Sequence, residues 1–323
     1  MSTLRRSLGL ALLALFIFVR PLMGDAHGPA FGYTTTTLGA GDTSIETAVM
    51  KRLGTVMIGP VVAYGIRENI QLSISGPFNV NQGYHPVGRF DTSMPGVPSV
   101  ECMVAWRFHE KLSGVATRTE STLFAGVSGT TQHLLRDDGR PLEREPGLFG
   151  AAAISRITRR YSLSAGAGYQ YYGAWNSAKL DRESDSLLST LAIGWRPPFF
   201  DRDYPKPDLR FFLETTGDWV GQAERDNSQP SGGGGSGPPS PHIARATRDE
   251  TTSTSQNGVV VLPNSGGNSI FSGPSALVTY KNMGFQGGLQ FALRDERNGV
   301  QPAERYRAVV GVTYYFLGGR GKR

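Results

Sequence analysis

The sequence predicts an all-β chain folded as a single antiparallel barrel of about twelve strands, and three observations carry that prediction. Segments of roughly ten to thirteen residues alternate apolar and polar side chains with a period of two. The connections between them alternate short and long, and aromatic residues gather at segment ends. Composition agrees: 42 glycines and 10% aromatic residues suit many strands and turns, and 39% AVILMFWYC is too few for a bundle of membrane helices. A chain of 323 residues fits one large barrel.

Residues 1–26 read as a signal peptide. Arg5 and Arg6 precede an apolar run from Leu8 to Val19, and Gly24 and Ala26 lie three and one residues before a cleavage point. That run falls short of the roughly 18–20 residues a membrane helix needs. Cleavage after Ala26 lowers the net charge from +6 to +4, so the mature chain is only mildly basic. Cys102 is the single cysteine, so no internal disulfide is available and an exported chain must be held by a core or by closure of a sheet. No other segment approaches helix-spanning length, so any passage through a membrane is made by strands.

In chain order the strands are expected at 43–52, 55–65, 69–78, 99–108, 117–127, 147–156, 161–172, 185–196, 209–218, 269–280, 284–293 and 304–316. Alternation is clearest in three. In 69–78, Ile70, Leu72, Ile74 and Phe78 oppose Gln71, Ser73 and Ser75. In 99–108, Val100, Cys102, Val104, Trp106 and Phe108 oppose Glu101, Met103, Ala105 and Arg107. In 161–172, Tyr161, Leu163, Ala165, Ala167, Tyr169 and Tyr171 oppose serines, glycines and Gln170. Most are longer than a typical globular strand and match the roughly 9–11 residues that cross a bilayer at a tilt. The last strand, with Ala308, Val310, Val312, Tyr314 and Phe316 on one face, is expected to face lipid and to close the barrel against 43–52.

Long connections at 79–98, 128–146, 173–184, 219–268 and 294–303 are assigned to the cell exterior, the mostly shorter set and both termini to the periplasm. Tyr64, Trp106, Phe108, Trp195, Tyr314 and Phe316 then fall at the periplasmic rim, and Phe78, Tyr169, Tyr171, Trp219 and Tyr306 at the outer one. Such girdles mark where a lipid-facing band meets headgroups.

HGPAFGYTTTTLGAGD (27–42), VAYGIRENIQLSISGPF (62–78), VECMVAWRFH (100–109) and the closing VTYYF (312–316) resemble bacterial outer-membrane transporters grouped with the meta-pathway of phenol degradation. The resemblance implies an outer-membrane barrel of unassigned cargo, with no catalytic residues to carry over. It also implies a C-terminal insertion signal for the barrel-assembly machinery, matched here by Gly311, Tyr314 and Phe316, while Val309 stands where a polar residue is usual. The basic tail 317–323, after the final aromatic, departs from that arrangement.

If the apolar file faces lipid, the lumen is lined by Glu46, Gln71, Glu101, Arg107, Arg118, Glu120, Gln170, Arg210, Glu214, Gln286, Gln290, Arg305 and Arg307. Two readings stay open: a polar conduit for small solutes, or a mutually paired network that fills a structural or surface-interaction barrel. The leader 27–42 is either a plug or gate, or a flexible periplasmic segment. Residues 220–268, with SGGGGSGPPSP, form a flexible outer loop; GGGGSG lacks the Gly-Lys-Ser/Thr ending of a phosphate loop. His27 at a mature N-terminus has no further ligand set, so neither metal nor other cofactor is expected.

No Gly-x-Ser-x-Gly, His-Glu-x-x-His or Cys/His cluster is present, so an enzyme is not expected. The remaining hydrolase alternative rests on His85 near Asp91, or His133 near Asp137 and Asp138, with His242 in another outer loop and His109 in a periplasmic turn. Dispersed basic residues give no nucleic-acid footprint. Arg136, Arg140, Arg245 and Arg248 suit lipopolysaccharide phosphates instead.

Overall fold

A computed structural model describes residues 28–52, 55–76, 78–81, 99–114, 116–130, 147–171, 185–200, 206–221, 224–226, 259–261, 266–298 and 303–318. The first 27 residues, His85, His133, His242, the four loop arginines and the last five residues lie outside them. The segments are β1 (Thr43–Arg52), β2 (Thr55–Arg67), β3 (Ile70–Ser75), β4 (Phe78–Asn81), β5 (Ser99–Ser113), β6 (Thr117–Thr130), β7 (Gly147–Ile157), β8 (Tyr161–Tyr171), β9 (Ser186–Trp195), β10 (Asp208–Val220), β11 (Glu224–Asp226), β12 (Val259–Val261), β13 (Gly267–Tyr280), β14 (Met283–Arg297) and β15 (Tyr306–Phe316). Among the described residues no helix is long and apolar enough to cross a membrane.

β3 and β4 are two halves of one strand, both paired to β2 and interrupted at Gly76, whose N–H bonds Pro60 O (3.1 Å). β11 and β12 form a separate ribbon on the β10–β13 connection. The other segments make, with β3–β4 counted once, a twelve-stranded antiparallel sheet in sequence order. It closes because β1 pairs with both β2 and β15, from Thr43↔Phe316 to Lys51↔Ala308. Asp42 Oδ1 clips the seam by accepting the Gly318 N–H at 2.8 Å. Closure of β1 on β15 removes the free edges of the sheet at the seam, as strands in lipid require.

The barrel is inside-out. Val49, Val62, Val104, Leu123, Ile154, Leu191, Leu213 and Val310 are all more than two-fifths exposed on its outer face, while the fully buried side chains include Glu120, Glu214, Gln290 and Glu304. Water does not tolerate the first arrangement, and a soluble core does not tolerate the second. Exposed aromatic rings mark both ends: Tyr169, Tyr171, Trp219 and Tyr306 lie at the end where β15 begins, and the following rings at the end where it finishes. Tyr161, Trp195 and Phe211 lie at one level by register, with Trp195 and Phe211 stacked at 6.2 Å. Trp106 and Phe108 meet at 5.9 Å, and Tyr314 and Phe316 edge-on at 4.7 Å. From Tyr306 to Phe316, at about 3.3 Å per residue and a tilt of about 40°, the depth is about 25 Å, the height of an outer-membrane apolar band.

The short turns 68–69, 114–116, 158–160 and 281–282 share an end with the described chain ends, called here the terminal end. Several expected bounds need correction: β6 runs on to Thr130 and β14 to Arg297, into the loops expected at 128–146 and 294–303. Residues 109–113 continue β5 past a bulge between Arg107 and His109, so His109 is in a strand, not a turn. Arg107 and Arg118 each contact both Glu110 and Glu120, so the two arginines offset the like charges of the facing Glu110 and Glu120 and tie the extended hairpin together. The loop expected over 220–268 is shorter, because β10 reaches Val220 and β13 begins at Gly267.

Candidate functional site: the lumen and the leader inside it

Period two sends one side chain in two inward, and most predicted lumen residues follow that parity. They divide into groups by contact. At the terminal end Arg107 Nη1 bonds Glu120 Oε1 (3.0 Å), and Arg118 Nε lies 3.3 Å from the same oxygen. Both arginines also reach Glu110, at 3.2 and 4.0 Å. Arg210 Nε reaches Asp208 at 3.2 Å, and Asp208 also takes a bond from Arg196. At the opposite end Arg307 lies between Glu304 (3.0 Å) and Asp218, its guanidinium 3.7 Å over the buried Phe271 ring. Arg297 bridges Glu304 (3.1 Å) and Asp295 (2.8 Å) beside it. Each buried guanidinium thus meets carboxylate, which is the condition for keeping charge out of water.

Among the amides, Gln286 Nε2 donates to Glu46 Oε1 (2.9 Å), Gln170 Nε2 to Ser128 Oγ (3.2 Å), and Gln290 Oε1 accepts from Thr216 Oγ1 (3.0 Å). Glu101 is in the inward file but exposed, accepting from Ser75 Oγ at 3.4 Å. Arg305 is not brought into the lumen group: it precedes β15 and is exposed at the rim. Of the insertion-signal residues, Gly311 faces inward, and Tyr314 and Phe316 face outward.

Residues 28–38 run inside this lining. Gly28 and Thr34 lie side by side, so the segment enters, turns at Ala30–Tyr33 and returns toward the terminal end. Glu214, 1% exposed, accepts both the Ala30 N–H (2.7 Å) and the Phe31 N–H (2.8 Å), and Ser275 Oγ donates to it as well. Three convergent donors suit the acceptor-only, ionised carboxylate. Thr35 Oγ1 donates to Glu120 (3.0 Å), its carbonyl accepts from Thr122 (2.6 Å), and its hydroxyl also bonds Ser155. Tyr33 inserts between Phe124 (5.5 Å) and Phe149 (6.0 Å) above Gly166 and Gly168. Burial, with Glu101 and Asp218 as lesser causes, raises the Tyr33 phenol pKa, so it stays neutral. A Cβ on Gly168 lies 2.2 Å from the Tyr33 hydroxyl, so glycine there makes the space for the ring.

Thr37 donates to Glu68 O (3.1 Å) and Leu38 N–H to Gln71 Oε1 (2.9 Å), bringing the chain to the wall. There Gly41, at φ 79°, turns it into β1, with Gly41 N–H donating to Gly65 O at 2.8 Å. A side chain on Gly65 collides with Gly39 O at 1.9 Å, so backbone passes against backbone. Between the leader and the wall of β13, β14, β15, β1 and β3 remains a cavity of about 260 Å³, bounded by Thr36, Leu38, Glu46, Gln71, Gln286 and Thr313 among others. Among the described residues no group of three His, Cys, Asp or Glu is placed to hold a metal.

Sequence reasoning missed Asp218, Asp295, Arg297 and Glu304. Asp218 shares parity with Arg210 and Glu214, a signal lost by ending the strand there.

No family model matches the sequence, and no curated protein matches it. The structure is similar to an outer-membrane channel from Pseudomonas putida F1, at a TM-score of 0.53 and 13% identity over 90% of this chain and 100% of that one. The fold is that of an outer-membrane β-barrel. Also similar are the NanC porin (TM-score 0.43, 10% identity, 84% of this chain and 98% of that one) and the KdgM porin (0.41, 8%, 85% and 99%).

Proposed function

We propose that the chain is a bacterial outer-membrane barrel that passes small molecules passively, with residues 28–42 as a partial plug entering from the periplasmic end. One observation supports this above others: the lumen is polar and keeps a cavity of about 260 Å³ beside the leader. A barrel built only for rigidity gains nothing from a polar void, whose lining needs water or a solute to satisfy it. The described chain enters at the terminal mouth with Gly28, just after the expected cleavage at Ala26; this supports assigning that mouth to the periplasm. The resemblance to phenol meta-pathway transporters makes small aromatic compounds the first solutes to try. Barrel-assembly machinery, acting on Gly311, Tyr314 and Phe316, and lipopolysaccharide at the opposite rim are the partners of this reading.

The alternative, a structural barrel with a filled lumen, draws on the interlocked pairs around Glu120 and Arg307. Liposome swelling separates the two. Mature protein is reconstituted and challenged with iso-osmolar arabinose, the aromatic zwitterion phenylalanine and a larger trisaccharide. The conduit reading predicts swelling with the small solutes at a rate proportional to protein; swelling equal to protein-free liposomes for all three overturns it.

A further inference from the structure

We infer that the cavity between the leader and the β15–β1 seam is the eyelet of the barrel, and that Glu46 makes it prefer cations and neutral hydrogen-bonding solutes over anions. This rests on the conduit reading above.

The lumen is filled unevenly. On the β6–β7–β8 side Tyr33 fits between Phe124 and Phe149, and Thr35 is bonded to Glu120 and to Thr122. On the β10–β13 side Glu214 holds the Ala30 and Phe31 amides, and the Phe31 ring crowds Gly288. Toward β13, β14, β15, β1 and β3 the leader stands off the wall by a cavity of about 260 Å³, whereas against β7, β8 and β10 the gap is about 20 Å³. A solute passing the level of the leader has this side open to it.

The charge of that passage is not balanced. Its lining contains Glu46 and neither lysine nor arginine. Glu46 takes hydrogen bonds from Gln286 Nε2 at 2.9 Å and from the Thr313 side chain, neutral groups that fix the carboxylate without cancelling its charge. The other inward carboxylates of the terminal half face guanidinium or backbone N–H groups instead: Glu120 meets Arg107 and Arg118, Asp208 meets Arg196 and Arg210, and Glu214 meets the leader amides. A single uncompensated carboxylate in a narrow, low-dielectric passage acts as acidic rings do in cation channels. Gln71, Thr36 and Thr313 supply hydrogen-bonding groups that replace part of a solute's hydration.

The test is the reversal potential of the reconstituted mature protein under a tenfold KCl gradient, compared with Glu46→Gln. The substitution keeps side-chain size and an acceptor for Gln286 while removing the charge. The expected result is a wild-type potential of cation-selective sign, with the K⁺/Cl⁻ permeability ratio falling several-fold toward unity in Glu46→Gln. The wild-type sign needs no variant, so misfolding of Glu46→Gln leaves the inference exposed to refutation. A conducting wild type of anion-selective sign, or a ratio unchanged by Glu46→Gln, overturns the inference and leaves the conduit intact. Silence from both proteins overturns the conduit reading and this one with it.

Discussion

Changing Glu214 to glutamine tests the grip on the leader most sharply. The carboxylate is 1% exposed and receives the Ala30 N–H at 2.7 Å and the Phe31 N–H at 2.8 Å. Hydrogen bonds to a charged acceptor are worth about 1.5–3 kcal/mol each. Glutamine retains one carbonyl oxygen but turns an amide –NH₂ toward the second donor, so one bond is lost and one buried N–H is left unmatched. The net cost to the docked leader is about 2–3 kcal/mol, equivalent to an increase of roughly 30- to 150-fold in the undocked population. Hydrogen–deuterium exchange at Ala30 and Phe31 reads that ratio directly, with amides of β8 and β9 as internal references for an intact barrel. The expected outcome is protection lost at Ala30 and Phe31 by that factor and retained in the strands. Equal protection at Ala30 and Phe31 in both proteins refutes the reasoning, because it means that the turn is held by shape around Tyr33 and not by the carboxylate.

Three further outcomes follow from the fold. Leu191→Arg, in mid-strand on the outer face, is expected to destabilise the folded barrel by roughly 2–4 kcal/mol in bilayers by urea titration, whereas Leu191→Phe stays near wild type. Cys102, between outward Val100 and Val104, is expected to react with a bilayer-partitioning maleimide and resist a charged one in liposomes; the reverse order places that face in water. Phe316→Ala removes the edge contact to Tyr314 at 4.7 Å, and is expected to lower several-fold the heat-modifiable, folded fraction in outer-membrane preparations.

The fold was legible because lipid enforces period two so strictly. β15 illustrates it: Val310, Tyr314 and Phe316 turn outward while Arg307 and Thr313 turn inward, as alternation alone requires. Strand ends were less legible. Beyond the bilayer no solvent boundary imposes alternation, so the extension of β5 to Ser113 depends on ion pairs that join residues from two strands. The contacts of 28–38 were not legible at all. Ala30 and Glu214 are 184 residues apart, and HGPAFGYTTTTLGAGD has no periodicity to announce a partner. The glycines that admit the leader, Gly168 and Gly288, read in sequence as ordinary weak points of strands. Phe124 and Phe212 show a similar limit. Their inward direction follows from the parity of Glu120 and Arg210, yet an aromatic in a polar file finds its purpose only when Tyr33 or Gly194 is seen beside it.

The measurement that bears most directly on a conduit narrowed by its own leader is single-channel conductance in planar bilayers, comparing the mature chain with a variant lacking residues 28–38. The account predicts small, defined current steps from the mature chain and steps several-fold larger from the variant, at equal insertion. Equal conductance in the two, or silence from both, contradicts it.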